Sequence, residues 1–289
     1  MPQLSRGRQT DRKSMSEGKR YRAVVFDLYG TLIDIHTDEG LPRLWKTMAE
    51  WYTSHGAAYG PKELREAYLS AVSEEAARAK DGWIKKGKDV RYPEPEIGRV
   101  FEALYSRKTG SEPDGAEEVS FGLGISSFAV ETAHLFRGAA MMHLRLYAGA
   151  KELLTALRDA GAGVYLLSNA QRLYTVPEMR RLSIYGLFDG VYISSDHGVK
   201  KPDTVFYELF LKETGLRPEE CLMVGNDLHC DIGGANEAGM DTYYILSGLS
   251  PETDRERVTG KRPAGIVPDY LQIGMDLRKT CRRILGLLG

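Results

Sequence analysis

Asp27 stands directly after a short apolar stretch and is the first candidate for chemistry in the chain. The stretch, Ala23–Phe26, is rich in β-branched residues and free of polar ones, which is typical of a strand buried on both faces of a parallel sheet. Open α/β sheets bind ligands beyond the carboxyl ends of such strands, and Gly30 permits a sharp turn behind the carboxylate. An aspartate placed there can attack as a nucleophile and form a covalent intermediate. The alternative is that Asp27 only caps the turn or helix that follows.

Polar side chains also follow two later apolar stretches of the same kind. If Asp27 is a nucleophile, later strands must bring a hydrogen-bond donor, a fixed cation and either metal ligands or their substitute to the same edge of the sheet. The candidates are Ser168 and Asn169 after Val164–Leu167, and Asp227 and Asp231 after Leu222–Val224.

Apolar runs and helical periodicity alternate regularly after residue 149. The alternation predicts right-handed crossovers and a doubly wound parallel sheet of the α/β class. The predicted strands are Val164–Leu167, Val191–Ile193, Cys221–Val224 and Thr242–Ile245, and the predicted helices are Ala150–Ala160, Pro177–Ser183, Thr204–Thr214 and Ile232–Ala238. We expect a loop at Pro251–Pro263, an edge strand at Ile266–Val267 and a closing helix at Leu271–Leu288.

The block from residue 36 to residue 147 lacks this alternation and is predicted to be helical. Apolar residues recur at helical spacing in Leu41–Tyr52, Leu64–Val72 and Ile97–Tyr105, and Pro61 is suited to the first position of the second helix. A further helical region is predicted from about Val119 to Leu146. We therefore expect an inserted helical domain at 36–147 and an α/β core made of 21–35 and 148–289.

Composition limits the possible partners. The net charge of −1 favours neither nucleic acid nor a membrane surface, both of which attract basic proteins. Three cysteines without framework spacing fit a reducing cytoplasm. Residues 1–20 lack the apolar segment of a secretory signal and are predicted to be a disordered polar tail. We expect a cytoplasmic protein, and its oligomeric state stays open.

Four segments together resemble the motifs of a known superfamily. Phe26–Leu32 resembles the first motif of the haloacid dehalogenase (HAD) superfamily of hydrolases, whose first aspartate attacks phosphorus or carbon. Val164–Asn169, Gly198–Asp203 and Leu222–Ile232 are similar to its second, third and fourth motifs and occur in the same order. The helical block lies where the superfamily carries a helical cap. The resemblance implies a Rossmann-like core with an inserted helical cap domain.

The resemblance also implies roles for individual residues. Asp27 would be the nucleophile, Ser168 would bind an oxygen of the transferred group, and Lys201 would pair with the nucleophile and the incoming anion. Thr31 and Asn169 lie in the same motifs and are predicted to be catalytic with them. The implied Mg²⁺ ligands are Asp27, the backbone carbonyl of Tyr29, Asp227 and Asp231.

Some positions favour one activity and some another. Tyr29 is predicted to be catalytic, yet phosphatases of the superfamily carry there an aspartate that protonates the leaving oxygen, and tyrosine is typical of its dehalogenases. Tyr207 also resembles a tyrosine of the dehalogenase site and is predicted to contact substrate, although an aromatic there can simply pack against the sheet. Against this, Asp227 and Asp231 have the spacing of metal-dependent members. Asn226 replaces the commoner first aspartate, so Asp227 or Asp231 would have to take over coordination.

These features favour a Mg²⁺-dependent phosphatase of a small phosphorylated metabolite. The alternatives are a metal-independent 2-haloacid dehalogenase and a binding or regulatory protein that has lost catalysis. Lys86 and Arg91, in the segment Lys80–Tyr92, are predicted to bind the anionic substrate; the alternative is a solvated surface loop. Lys200 is expected to be solvated, because only one lysine of the pair is needed.

Overall fold

The computed structural model describes residues 21–113, 124–263 and 265–288. Its strands are β1 (Ala23–Phe26), β2 (Ile33–Thr37), β3 (Met141–Leu146), β4 (Gly163–Ser168), β5 (Gly190–Ile193), β6 (Cys221–Gly225), β7 (Asp241–Leu246) and β8 (Tyr270–Ile273). Its helices are α1 (Pro42–Ser54), α2 (Pro61–Lys85), α3 (Ile97–Thr109), α4 (Ser127–Ala140), α5 (Ala150–Asp159), α6 (Arg172–Arg181), α7 (Ser194–His197), α8 (Thr204–Thr214), α9 (Gly234–Glu237), α10 (Glu252–Val258) and α11 (Leu277–Leu288).

A six-stranded parallel sheet forms the core, in the order β5-β4-β1-β6-β7-β8. Strand β1 is buried on both faces, with Val24 and Phe26 in one hydrophobic cluster and Ala23 and Val25 in another. The chain builds β4 and β5 on one side of β1 and then returns to build β6 on the other. The carboxyl ends of β4, β1 and β6 therefore lie side by side where the order reverses, and the predicted doubly wound α/β fold is confirmed.

Helices α1 to α4 pack around a hydrophobic cluster of their own. Its largest buried members are aromatic, and their rings meet edge-on or stacked, as with Trp45 on Phe136 and Tyr52 on Phe128. Pro61 begins α2, as the sequence predicts, and Gly110 ends α3 with φ of 74°. We call this part, residues 38–140, the helical insertion.

Two antiparallel strands, β2 and β3, connect the helical insertion to the core. The prediction of helix up to Leu146 was wrong, because Met141–Leu146 is a strand paired with Ile33–Thr37. The two segments alternate apolar and polar residues with a period of two, which favours a strand with one covered face. Residues 119–123 of the same prediction lie outside the described residues.

The C-terminal part differs from the sequence prediction in three places. The edge strand is β8 rather than Ile266–Val267, and α10 occupies most of the predicted loop Pro251–Pro263. Helix α11 begins only at Leu277, because the preceding residues form β8 and Asp276 accepts a hydrogen bond from Lys279 N. The predicted tail, residues 1–20, lies outside the described residues. None of the described helices combines the length and apolar character needed to cross a bilayer.

Candidate active site

Two carboxylates and one ammonium group meet where β1 and β6 end. Lys201 Nζ lies 2.9 Å from Asp27 Oδ1 and 2.7 Å from Asp231 Oδ1, and it donates to Leu167 O at 2.8 Å. All three charged side chains are almost fully buried. Burial alone would lower the pKa of Lys201, but Asp231 and Asp27 outweigh it and raise this pKa. The ammonium group therefore stays charged beside Asp27.

The turn after β6 fixes Asp231. Its Oδ2 accepts hydrogen bonds from Asn226 N at 2.9 Å and Asp227 N at 3.0 Å. A Cβ at Gly225 would stand 2.2 Å from Asp231 Oδ2, so only glycine lets the carboxylate approach this closely. Burial raises the pKa of Asp231, and the Lys201 ammonium group opposes this rise.

Thr31 joins the nucleophile to the fourth motif. Its Oγ1 lies 3.2 Å from Asp27 Oδ2 and 3.1 Å from Asn226 Oδ1. A hydroxyl has one proton and can serve only one of these acceptors at a time. Gly30, with φ of 87°, brings the turn so close that a Cβ would overlap the Asn226 side chain. The turn thus leaves an oxygen of Asp27 or Asn226 available to a further partner.

The available oxygens fit Mg²⁺, and the three predicted carboxylates differ in their surroundings. Asp227 Oδ1 instead accepts hydrogen bonds from His229 N and Cys230 N at 2.8 and 2.7 Å. Across the described residues, no three His, Cys, Asp or Glu side chains are arranged to bind a metal ion. The expectation that Asp227 or Asp231 replaces the missing aspartate stays a prediction; both carboxylates have backbone partners in this structure.

Asn226 supplies the oxygen that the sequence interpretation overlooked. Magnesium takes hard oxygen ligands and few protein groups, and the amide Oδ1 of Asn226 and Oδ2 of Asp27 share one hydroxyl. Asp27 and Asp231 carry two negative charges against the single positive charge of Lys201. The remaining negative charge and the two oxygens suit a divalent cation.

Ser168 and Asn169 lie at the end of β4 with different surroundings. Ser168 Oγ is fully buried and has no hydrogen-bond partner within the described residues. A buried hydroxyl without a partner is costly, and a ligand oxygen would satisfy it. Asn169 donates to Lys201 O at 2.9 Å and accepts from Lys201 N at 2.8 Å. Ser168 thus presents an unpaired hydroxyl at the end of β4, whereas Asn169 positions Lys201.

The hydroxyl group of Tyr29 is bound within the protein and is not available as a general acid. Its hydroxyl donates to Glu178 Oε2 at 2.5 Å and lies 3.2 Å from Thr175 Oγ1. Burial and the Glu178 carboxylate raise the pKa of Tyr29, opposed in part by Arg137. The phenol therefore stays protonated, and its proton is engaged by Glu178.

Three predicted substrate contacts lie elsewhere. Tyr207 is fully buried and donates to the backbone oxygens of Cys230 and Asp231, so it supports the turn after β6 instead of contacting substrate. Lys86 is exposed and lies over the ring of Trp83, 4.7 Å from its centroid. Arg91 lines a different cavity, beside α8. Their roles as substrate contacts stay predictions, because sequence shows neither burial nor the direction of a side chain.

A cavity of about 520 Å³ opens beside Lys201, a size typical of small-molecule sites. Both the core and the helical insertion line it. Lys200 is a lining residue and pairs with Glu94 at 3.2 Å, so it is not merely solvated as expected. The polar lining also includes residues that no sequence pattern indicated, among them Arg137, Gln171, Tyr174 and Thr175. No short motif contains them, since they come together only through the packing of α4 on α6.

Known proteins with similar sequences are hydrolases. The profile of the haloacid dehalogenase-like hydrolase family matches residues 21–239. Glyceraldehyde 3-phosphate phosphatase of Pyrococcus furiosus is 33% identical over 114 residues, which is 39% of this chain and 48% of that protein. Human N-acylneuraminate-9-phosphatase is 26% identical over 234 residues, 80% of this chain and 86% of that protein. The chain spans about half the length of the first of these relatives.

Solved structures agree on the fold. The 2-haloacid dehalogenase from Pseudomonas syringae pv. Tomato DC3000 superimposes with a TM-score of 0.57 at 16% identity, over 93% of this chain and 100% of that one. At this identity the likeness shows the fold alone. The family profile, by contrast, covers β1, the helical insertion and the turn after β6, the segments that build the site. The chain therefore belongs to the haloacid dehalogenase-like family of hydrolases.

Proposed function

We propose that the protein is a Mg²⁺-dependent phosphatase that hydrolyses monoesters of small phosphorylated metabolites through a covalent intermediate on Asp27. The observation that carries the proposal is Lys201, fixed between Asp27 and Asp231, beside the oxygens of Asp27 and Asn226 that suit Mg²⁺. The relatives named above are phosphatases, which supports the same reaction.

In the proposed reaction Asp27 attacks phosphorus. A bond forms between its carboxylate oxygen and phosphorus while the bond to the leaving oxygen breaks, and water then releases phosphate from Asp27. Lys201 pairs with the carboxylate and faces the negative charge of the phosphoryl group. The unpaired hydroxyl of Ser168 donates to a phosphoryl oxygen. Positioning and charge neutralisation supply most of the catalysis.

Asp27 and Asn226 are the side chains that would bind Mg²⁺, with the backbone carbonyl of Tyr29 predicted as a third ligand. Bound magnesium neutralises negative charge on the transferred phosphoryl group. Asp231 would act indirectly. It would hold Lys201 in place and accept hydrogen bonds from the two backbone N–H groups that fix the turn.

We also propose that residues 36–147 act as a cap over a core made of 21–35 and 148–289. The cavity supports this, because Glu39 and Arg137 line it from the helical insertion while Asn169 and Lys201 line it from the core. The substrate would be a small anion enclosed between the two parts. The free cysteines fit a cytoplasmic location.

One observation favours a second candidate, a 2-haloacid dehalogenase. Tyr29 stands where an acid would protonate a leaving alkoxide, and its proton is engaged by Glu178. A departing halide needs no proton. A third candidate, a binding protein without catalysis, would bind a ligand in the cavity and turn over neither substrate class.

A substrate panel separates the three candidates. Phosphate monoesters, acyl phosphates and 2-haloacids are each assayed with MgCl₂ and with a chelator. The proposal expects turnover of phosphate compounds that requires Mg²⁺. Halide release that persists in chelator would establish the dehalogenase, and ligand binding without turnover of any compound would establish the binding protein.

A further inference from the structure

Arg137 is fixed at the cavity wall by a carboxylate that the proposed reaction does not use. It lies in the last turn of α4, and Glu178 lies in the core helix α6. Arg137 Nε donates to Glu178 Oε1 at 2.6 Å, and Nη2 donates to Oε2 at 3.3 Å. The side chains are only 17% and 6% exposed. The pair is therefore a two-point contact in a mostly dry place, where its geometry is well defined.

Aromatic rings restrain the same guanidinium group. Its central carbon lies 5.6 Å from the ring centroid of Tyr29 and 5.1 Å from that of Tyr174. Tyr29 also donates to Glu178, so the carboxylate that fixes Arg137 is itself fixed. Two ring faces and a fork to Glu178 leave the group little freedom to move.

One edge of the guanidinium group remains unused. Glu178 occupies the edge formed by Nε and Nη2, whereas Nη1 and the second proton of Nη2 have no acceptor among the described residues. Arg137 lines the cavity that also contains Lys201 and Asn169. The unused edge is therefore a ready pair of donors for oxygen atoms of a ligand in that cavity.

The charges around Arg137 decide which oxygen atoms fit. Glu178 neutralises the guanidinium group, and Glu39, which also lines the cavity, interacts with it electrostatically. Lys200, on another side of the cavity, is paired with Glu94. A second anion beside Arg137 would meet these carboxylates with no surplus positive charge to offset them. Hydroxyl or carbonyl oxygens accept the same hydrogen bonds without that cost.

We propose that Arg137 determines specificity, binding uncharged oxygen atoms of the leaving group through its Nη1–Nη2 edge, with Glu178 as the positioning residue that excludes a second anion. The inference rests on the proposed phosphatase function and narrows its substrates to phosphate esters whose remaining part is uncharged and carries oxygen.

The test compares phosphate esters that differ in one terminal group. Glycerol 3-phosphate is paired with 3-phosphoglycerate, and glucitol 6-phosphate with 6-phosphogluconate, so that each pair exchanges a hydroxymethyl group for a carboxylate at one length. Propyl phosphate lacks the hydroxyls, and p-nitrophenyl phosphate reports phosphatase activity in general. We expect the wild type to favour the uncharged member of at least one pair, and glycerol 3-phosphate or glucitol 6-phosphate over propyl phosphate, by about tenfold in kcat/KM.

Two substitutions then change the preference in different directions. Arg137→Lys keeps the charge but loses the flat donor edge, so we expect the preference for hydroxyl-bearing esters over propyl phosphate to fall about tenfold. Glu178→Gln removes the neutralising charge, so we expect the preference to shift about tenfold towards the carboxylate-bearing esters. A purely structural ion pair would lower kcat/KM for all esters by the same factor, and that result would overturn the inference.

Matched controls come from the surface of the helical insertion. Arg107 pairs with Glu74 far from the cavity lining, so Arg107→Lys and Glu74→Gln should keep the wild-type preferences. If Glu178→Gln fails to fold, as judged by circular dichroism, Glu178→Asp weakens the same contact while keeping the charge and should lower the hydroxyl preference without a shift towards carboxylates.

Wild-type inactivity on p-nitrophenyl phosphate and all five other esters would overturn the phosphatase function together with the inference. Activity with unchanged preferences in both variants would overturn the inference alone.

Discussion

Each carboxylate oxygen of Asp27 has its own partner in this site. Oδ1 faces Lys201 and Oδ2 faces Thr31. We predict that Asp27→Asn abolishes turnover, because an amide is a poor nucleophile, while the nearly equal shape keeps the fold. The measurement is kcat together with the circular dichroism spectrum. The exposed Asp159→Asn is the control and should keep wild-type kcat; more than residual activity in Asp27→Asn, with deamidation excluded by mass spectrometry, would contradict the prediction.

Asn226 gives a test of the metal site. We predict that Asn226→Asp lowers the melting temperature without metal, because a third carboxylate joins Asp27 and Asp231 around one lysine. The same change should enlarge the rise in melting temperature caused by MgCl₂, since a carboxylate binds Mg²⁺ more strongly than an amide. A free Mg²⁺ concentration 100 times the dissociation constant stabilises the folded state by about 2.7 kcal/mol.

Asn226→Ala completes this series of variants, because it removes the amide oxygen of Asn226. Its magnesium-dependent rise should be smaller than that of the wild type when both are followed by calorimetry. Equal rises in the wild type and in both variants would show that Asn226 does not bind the metal.

His197 is expected to make stability depend on pH. Burial between Tyr192 and Phe206, together with Arg172 and Lys86, lowers its pKa, although Asp196 and Glu213 act in the opposite direction. The folded state therefore binds a proton less readily than the unfolded state, and stability is lost as pH falls through the ordinary value of 6.5.

His197→Gln removes this titration. We predict that the free energy of unfolding of the wild type, minus that of His197→Gln, becomes smaller as pH decreases from 7.5 to 5.5. Urea denaturation at several pH values measures it. A difference that stays constant or grows on acidification would contradict the assignment.

At the level of elements, the strand ends were predictable and the side-chain directions were not. An apolar strand followed by a polar residue places that residue at the edge of a parallel sheet, as with Asp27 directly after β1 and Ser168 at the end of β4. Lys201 follows no strand directly; the resemblance paired it with Asp27, and its Nζ lies 2.9 Å from Asp27 Oδ1. Whether a carboxylate then faces the site depends on the turn. Asp227 turns towards the N–H groups of the next residues, and Asn226 takes the position near Asp27. No local pattern distinguishes these outcomes.

Strands β2 and β3 were missed for a similar reason. Each is stabilised by its partner more than one hundred residues away, as in the pair Ile33 and Leu146, and the helical periodicity of α4 leads directly into β3. The contact between Arg137 and Glu178 could not be predicted from the sequence, because it arises where two helices from distant parts of the chain pack together. Sequence periodicity reports burial along an element and says little about contacts between elements.

Asp203 joins the third motif to the helical insertion. Its Oδ1 caps α8 by accepting from Val205 N, and its Oδ2 accepts from Arg91 N at 2.7 Å and Tyr92 N at 3.3 Å. We predict that Asp203→Ala costs about 2–4 kcal/mol of unfolding free energy, because it removes a cap and leaves two further N–H groups without their acceptor.

The control for Asp203 is a residue whose side chain caps a helix and accepts no hydrogen bond from a second segment of the described chain. Ser126 caps α4 by accepting only from Ala129 N, so Ser126→Ala should cost about 1 kcal/mol. Urea denaturation of the two variants provides the comparison. Equal losses would mean that the contact of Asp203 with residues 91 and 92 contributes nothing to stability.

At the level of the whole molecule, the core and the helical insertion both line the cavity beside Lys201. The core supplies the charged groups that would face the phosphoryl group of the proposed substrate, and the helical insertion supplies Glu39 and Arg137. The net charge of −1 offers little general attraction for anions, so affinity must come from these local groups. This division predicts that changes in the core affect kcat for all esters and changes at Arg137 affect the choice among them.

The central claim is that phosphate is transferred to Asp27, and trapping that intermediate tests it most directly. The enzyme is quenched with acid during turnover of its best phosphate ester with MgCl₂, treated with borohydride, and analysed by peptide mass spectrometry. Borohydride reduces an acyl phosphate to an alcohol, so the account predicts homoserine at position 27, absent from Asp27→Asn and from samples without substrate. Continued turnover with aspartate intact at position 27, or reduction at another carboxylate, would contradict it.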